Sequence, residues 1–361
     1  MFRIRLPLRR ALALGLPTAW GTVAITYKLA CPLAQQDGTV ARIVTSAVFF
    51  AVGTGLVLHV RRALLRELRQ VRRVAGAAQN VLLRPLPARV DGLGTAAVQL
   101  SADGAARVGG DLYDVIATEY GVRAVMGDVR GHGLAALGTV AAVLGSFREA
   151  VHDEPDLERV LRRLDRALAR HLRERARAEH PSAGREPETP VAEEFVTLLL
   201  LEIGRDGTVR ALNCGHPWPY RLTGTRVEPL AGTDPLPPLG PFPLPRDLPV
   251  VHPPPLRPDE MLFLFTDGAE DARDSRGRFF PLRATLAGAV HIDPLTPQAL
   301  LGTVLRALRR HAAGTPTDDI ALLVLRKERT RDPCASSGAR GTAREPTTHP
   351  RPTTQLERNG A

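Results

Sequence analysis

Five aspartates stand where the chain changes direction. In "VGGDLYDV", Asp111 follows a glycine pair, and "VMGDVRGHG" ends an apolar run in Asp128 and Val129 before two more glycines. "LFTDGAED" delivers Asp267 from another apolar run, and "TPTDDIALLVL" sets Asp318 and Asp319 just ahead of a third. Carboxylates at strand rims and turns can converge from distant parts of a chain, and rims are where ligands are commonly presented. A set of hard oxygen ligands without His or Cys suits magnesium or manganese rather than zinc or copper. Alone, each motif has a plainer use as a turn, an Asx cap or, for Asp267-Gly268, a hairpin. Their joint occurrence points to a site.

The elements that must position these acids form blocks. Residues 121–129, 195–203, 208–214 and 261–267 read as strands, the first and last carrying Asp128 and Asp267 at their ends. Apolar spacings of three and four predict helices over 134–151, 157–175 and 297–312. Strands and helices without strict alternation favour an α+β domain, here over 84–326. Residues 179–194 and the proline-rich 229–258 are expected loops, and 327–361, rich in Arg, Thr, Pro and Ser, is expected to be a disordered tail.

The 361 residues carry a formal charge of +10, which raises the question of nucleic acid. Much of that charge flanks apolar segments instead: Arg3, Arg5, Arg9 and Arg10 precede 11–33, and Arg61, Arg62, Arg66, Arg69, Arg72 and Arg73 follow 43–60. No aromatic-interleaved basic patch appears, so nucleic acid is not an expected partner. The two apolar runs predict a transmembrane helical hairpin within 1–60, with both ends on the cytoplasmic side by the positive-inside rule. A signal peptide would share the basic start, but a second apolar run follows at once. Residues 61–83 then predict an amphipathic linker helix that lies on anionic lipid, pairs with a second copy in a homodimer, or does both. Three widely separated cysteines, Cys31, Cys214 and Cys334, suggest neither a disulfide framework nor a metal knuckle.

The ordered series "VGGDLYDV", "GDVRGHGLAA", "NCGHPWPYRL", "LFLFTDGAEDARDSRGRFF" and "DDIALLVLR" resembles the SpoIIE/RsbU-type branch of the PPM (PP2C-like) metal-dependent protein serine/threonine phosphatases, over about residues 76–326. The resemblance implies an αββα sandwich of two antiparallel sheets flanked by helices. It implies a two-ion Mn2+ or Mg2+ centre held by Asp111, Asp128, the Val129 carbonyl, Asp267 and either Asp318 or Asp319, with Asp128 bridging and Asp111 and Asp128 as the catalytic pair. Strand alternation would point adjacent Asp318 and Asp319 to opposite faces, so either can be the ligand. The activity implied is hydrolysis of phosphoserine or phosphothreonine by a metal-activated water. The implied substrate is a phosphorylated regulatory protein, a STAS-like anti-sigma-factor antagonist, met at the cytoplasmic face of the cell membrane. The alternatives are a non-catalytic regulator of the same fold and a different two-metal hydrolase such as a nuclease. Arg130 stands where relatives carry a small polar residue, and Cys214 where they carry alanine. Arg107 and Arg130 are candidate phosphate contacts, though solvated arginines fit as well, and His132 and His216 read as structural before they read as general acids.

Overall fold

The computed structural model describes residues 20–23, 26, 39–100, 109–131, 133–178, 194–312 and 318–329. The chain divides into two units, Met1–Glu328 and Arg329–Ala361, and all the described elements belong to the first. They run α1 (Thr39–Leu82), β1 (Arg89–Val90), β2 (Leu93–Leu100), β3 (Asp111–Thr118), β4 (Gly121–Val129), α2 (Leu134–Asp153), α3 (Leu157–Ala178), β5 (Val196–Ile203), β6 (Val209–Cys214), β7 (Tyr220–Thr223), β8 (Arg226–Pro229), β9 (Met261–Phe265), α4 (Gly268–Asp271), α5 (Leu282–Ala289), α6 (Pro297–His311) and β10 (Ile320–Lys327).

The strands make two antiparallel sheets, one of six strands ordered β1-β2-β10-β9-β7-β8 and one of four ordered β3-β4-β5-β6. Residue alternation in the central strands of the larger sheet explains the layering. Leu262, Leu264, Ala321, Leu323 and Leu325 join a core shared with the smaller sheet, while Met261, Phe263, Phe265, Leu322 and Val324 face the opposite way into a core with α5 and α6. Strands β4 and β5 are buried almost throughout, because the larger sheet covers one face and α2 and α3 the other. Val140, Val143, Leu144, Phe147 and Val151 of α2 and Leu157, Val160, Leu161, Leu164 and Leu168 of α3 supply that outer layer at helical spacing. Helix α6 opens on a capped turn, Thr296 Oγ1 accepting from Ala299 N at 3.1 Å with Pro297 at the first helical position. The result is the expected αββα sandwich.

The α2–α3 corner is tied to the sheet from inside. Arg123 of β4 is fully buried, pairs with Glu202 of β5 through Nε at 2.8 Å and Nη2 at 2.6 Å, and donates to the carbonyls of Val151, Glu154 and Pro155. Three carbonyls at a helix end and one carboxylate thus share one cation. Arg148 of α2 fastens the linker, donating to the Leu82 carbonyl at 2.7 Å and pairing with Asp114 of β3 at 2.7 Å.

Residues 43–60 form the first part of the 44-residue α1, which continues through the arginine-rich linker without a break. Nothing between 60 and 61 stops the helix, since no Pro or Gly stands there. Among the described residues no helix is long and apolar enough to cross a membrane. Most of the first expected span, 11–33, lies outside the described residues, but Trp20 rests on α1, its ring 5.4 Å from that of Phe49. The expected tail also lies outside them, apart from its first three residues, 327–329.

Candidate metal centre

The acids gather where the two sheets present their strand ends. Antiparallel pairing of β3 with β4 makes Asp111, the first residue of one strand, the register partner of Asp128 near the end of the other. The Val129 amide closes the pair by donating to the Gly110 carbonyl at 3.1 Å. Across the sandwich, the β9–β10 ladder is prolonged by Thr266, whose amide donates to the Ala321 carbonyl at 3.1 Å and whose Oγ1 accepts from the Ala321 amide at 2.9 Å. That grip brings Asp267, the next residue, beside the start of β10. Asp267 then opens α4, its carbonyl accepting from the Glu270 and Asp271 amides, both at 2.9 Å. Asp318 and Asp319 precede β10 rather than lie in it, and the Asp319 amide donates to Asp318 Oδ1 at 2.8 Å.

Glycines set how closely these ends approach. A Cβ at Gly109 would run into the Asp319 carboxylate, and one at Gly268 into the Asp319 carbonyl. At Gly110 it would strike the Val129 carbonyl and come within 2.8 Å of Asp128 Oδ1. In the turn after β4, Gly131 and Gly133 have φ of 112° and 85°, a region that side chains avoid, and this carries the chain from Asp128 into α2.

Electrostatics bind the cluster into one unit. Burial lifts the Asp111 carboxyl well above its usual range, and the charges of Asp128, Asp319 and Asp267 add to the lift, while a hydrogen bond from the Thr266 side chain works against it. Burial also pushes Asp128 up to about 8, with Asp267, Asp318 and Asp319 contributing. Asp267 is raised too, by burial first and then by Asp318. Acids from both sheets therefore feel one another, Asp318 as well as Asp319, because residues ahead of a strand are not bound by its alternation.

The donor set fits divalent cations. Asp111 is buried, with only 2% of its surface exposed, and its Oδ2 has no hydrogen-bond partner, a costly arrangement unless a cation shares it. Like charges crowded into a partly dry pocket call for the same neutralisation. Among the described residues no three His, Cys, Asp or Glu side chains are already drawn together at ligating distance.

Neighbouring candidates fall away from the chemistry. His216 is buried, its Nδ1 3.0 Å from Thr197 Oγ1, and Thr197 is the register partner of Asp128. Burial pushes its imidazole down to about 3, so it stays neutral and buttresses β5 rather than donating protons. Arg130 is exposed, with its guanidinium carbon 5.4 Å from the Phe195 ring centroid. Cys214 is buried, its thiol pushed up to about 12 by that burial, which makes it inert. Arg107 and His132 lie outside the described residues. Sequence reasoning does not single out Thr266; its only trace there is its place before Asp267 at a strand end.

The sequence family described as Stage II sporulation protein E (SpoIIE) matches residues 118–328, more than half of the chain. Among solved structures, the SiaA-PP2C domain of Pseudomonas aeruginosa is similar with a TM-score of 0.54 and 20% identity, covering 74% of this chain and 98% of that one. The structure of the RsbU and RsbW domains of a Mycobacterium tuberculosis protein gives 0.51 at 22% identity, over 66% of this chain and 60% of that one. The PP2C phosphatase domain of the cell fate determinant SpoIIE from Bacillus subtilis, solved with a fragment of its regulatory domain, gives 0.51 at 16% identity, over 66% and 64%. The chain thus spans less than two thirds of the length of the last two. No curated protein matches it. At these identities the structural likeness concerns the fold, which is PP2C-like.

Proposed function

The chain belongs to the SpoIIE family, and on that footing we propose that it is a PPM-type phosphatase that removes phosphate from phosphoserine or phosphothreonine of a regulatory protein. The observation that carries this reading is the convergence of acids from both sheets on Asp111, whose Oδ2 is buried without a partner. Asp111, Asp128, Asp267, Asp318 and Asp319, with the Val129 carbonyl, would hold two Mn2+ or Mg2+ ions. Such ions, when bound, acidify a shared water for attack on phosphorus and neutralise charge on the phosphoryl oxygens.

The chain's own residues do the rest. Asp128, raised to about 8, accepts cations most readily once it has lost its proton, so occupancy and activity should rise toward alkaline pH. Thr266 orients Asp111 through its side chain while its backbone fixes the register that delivers Asp267. His216, neutral and buried, stiffens the strand behind Asp128. The glycines at 109, 110 and 268 let the strand ends close around the site.

A partner-switching regulator, a STAS-like anti-sigma antagonist, is the proposed substrate; one structural neighbour joins an RsbU domain to an RsbW domain, which favours that class. The proposal also seats the domain at the cytoplasmic face of a membrane, attached through 11–33 and 43–60. Supporting this are the exposed Ile43, Val44, Val48, Phe50 and Leu58 on α1, the contact of Trp20 with Phe49, and the arginines that follow. Fractionation of cells expressing the full chain and a form lacking 1–60 tests it: attachment requires the shorter form to leave the membrane pellet.

The enzymatic reading is tested with the full chain in detergent by following phosphate release from a phosphoserine peptide with Mn2+, with Mg2+ and with chelator. Turnover that needs the metal supports it. A folded chain that binds metal and releases no phosphate is instead a regulator built on the same fold.

A further inference from the structure

Next to the acids, on the α5 side of the larger sheet, lies a groove that takes no part in holding metal or activating water. It is an open depression of about 760 Å3, with walls that include Tyr220 of β7, Glu270 and Asp271 of α4, Phe279, and Arg283 and Ala287 of α5. Its lining is mostly apolar, and Phe279 leaves 54% of its surface in water. The segment that presents Phe279 is braced: Asp274 accepts from the Arg276 and Arg278 amides at 2.9 Å each, and the Arg273 guanidinium carbon lies 4.2 Å from the Phe279 ring centroid. An aromatic ring kept solvent-facing by a braced turn has its ordering cost met before anything binds.

Two observations choose the occupant. One turn of helix joins the groove to the acid cluster, since α4, which begins after Asp267, supplies Glu270 and Asp271 to its wall, and the charge of Asp271 reaches Asp267. The wall nearest the cluster is also acidic. Tyr220 Oη donates to Glu270 at 3.1 Å, whereas Asp271 is exposed and has no ion pair among the described residues. Arg283 points its Nε to the Val227 carbonyl at 3.4 Å. An apolar slot beside a free carboxylate complements an apolar side chain next to a basic one.

We propose that this groove docks the phosphoprotein substrate, taking an apolar residue near the phosphoserine while an adjacent lysine or arginine sets its charge against Asp271. The assignment to substrate rests on the phosphatase reading, so binding and turnover are measured separately. Full-length chain in chelator is titrated, by fluorescence anisotropy, into two labelled phosphoserine peptides of equal length, one with Leu and Lys beside the phosphoserine and one with Ala and Glu. Turnover of both peptides and of an aryl phosphate is then followed with Mn2+.

The expected result is at least about fivefold tighter binding of the Leu/Lys peptide, a preference lost in Ala287→Trp, which fills the groove, and in Asp271→Lys, which reverses its charge. Aryl phosphate turnover in Ala287→Trp and Phe279→Ala should stay within about twofold of wild type, because the groove orients a peptide and not the phosphoryl group. Equal binding of the two peptides, or loss of aryl phosphate turnover in step with peptide turnover, overturns the proposal. A change of oligomeric state in Ala287→Trp assigns the groove to a second copy and also overturns it. If peptide preference holds while no phosphate is released from any probe, the docking groove stands and the phosphatase reading fails.

Discussion

Asp111 and Asp128 face each other as register partners across β3 and β4, and between the residues that lead in and out of them the Gly110 carbonyl accepts from the Val129 amide. Two acids fixed opposite one another by a backbone ladder cannot move apart to relieve their repulsion. They must take up a proton or a cation.

Stability of the metal-free protein should therefore fall as pH rises. Asp128 ionises near 3.8 when unfolded and near 8 in the fold, so the folded chain holds the proton more tightly. Its support for the fold is complete below about pH 4 and is withdrawn progressively up to about pH 8. Thermal unfolding in chelator should show a lower Tm at pH 8.5 than at pH 5, with Asp128→Asn flattening the difference and stabilising the alkaline form by a few kcal/mol. An unchanged pH dependence in Asp128→Asn would remove this explanation of the cluster.

Gly110→Ala and Gly145→Ala should behave oppositely. At Gly110 a methyl group meets the Val129 carbonyl and Asp128 Oδ1, so the chain must shift where the ligands stand, and phosphate release should drop by about a hundredfold while the domain stays folded. At Gly145, inside α2, nothing lies within 4 Å of the added methyl, and the change should stabilise by up to about 1 kcal/mol. Activity of Gly110→Ala within about threefold of wild type would contradict so close an approach of these strand ends.

Strand ends that aim acids were legible in the sequence because apolar runs stop at Asp128 and Asp267, and α2, α3 and α6 were legible from their apolar spacing. Strand β2, "LGTAAVQL", shows no clear alternation, since small residues serve on both faces. Strands β7 and β8, with four residues each, are too short for a period to show. Helix α1 runs on past residue 60 because composition changes there without any helix stop. Asp318 and Asp319 lie ahead of β10, so strand alternation does not assign them to opposite faces.

Arg123→Met should cost about 3–5 kcal/mol, measured by urea unfolding, because Glu202 is left buried with only its contact to Arg210 and three carbonyls lose their donor. Adding Glu202→Met should recover part of that loss, as removing both charges ends the uncompensated burial. A double variant less stable than Arg123→Met alone would show that the pair is not coupled in this way.

The most direct test of the centre is a calorimetric titration of the full chain with Mn2+ at pH 8, beside Asp128→Asn and Asp267→Asn. Two ions should bind with release of protons, at least one ion should be lost or weakened about a hundredfold in each variant, and an exposed acid changed in the same way, Asp247→Asn, should have no comparable effect. Binding of no Mn2+ by the folded wild-type chain, or equal binding by all of these proteins, would contradict a two-metal centre built on these acids.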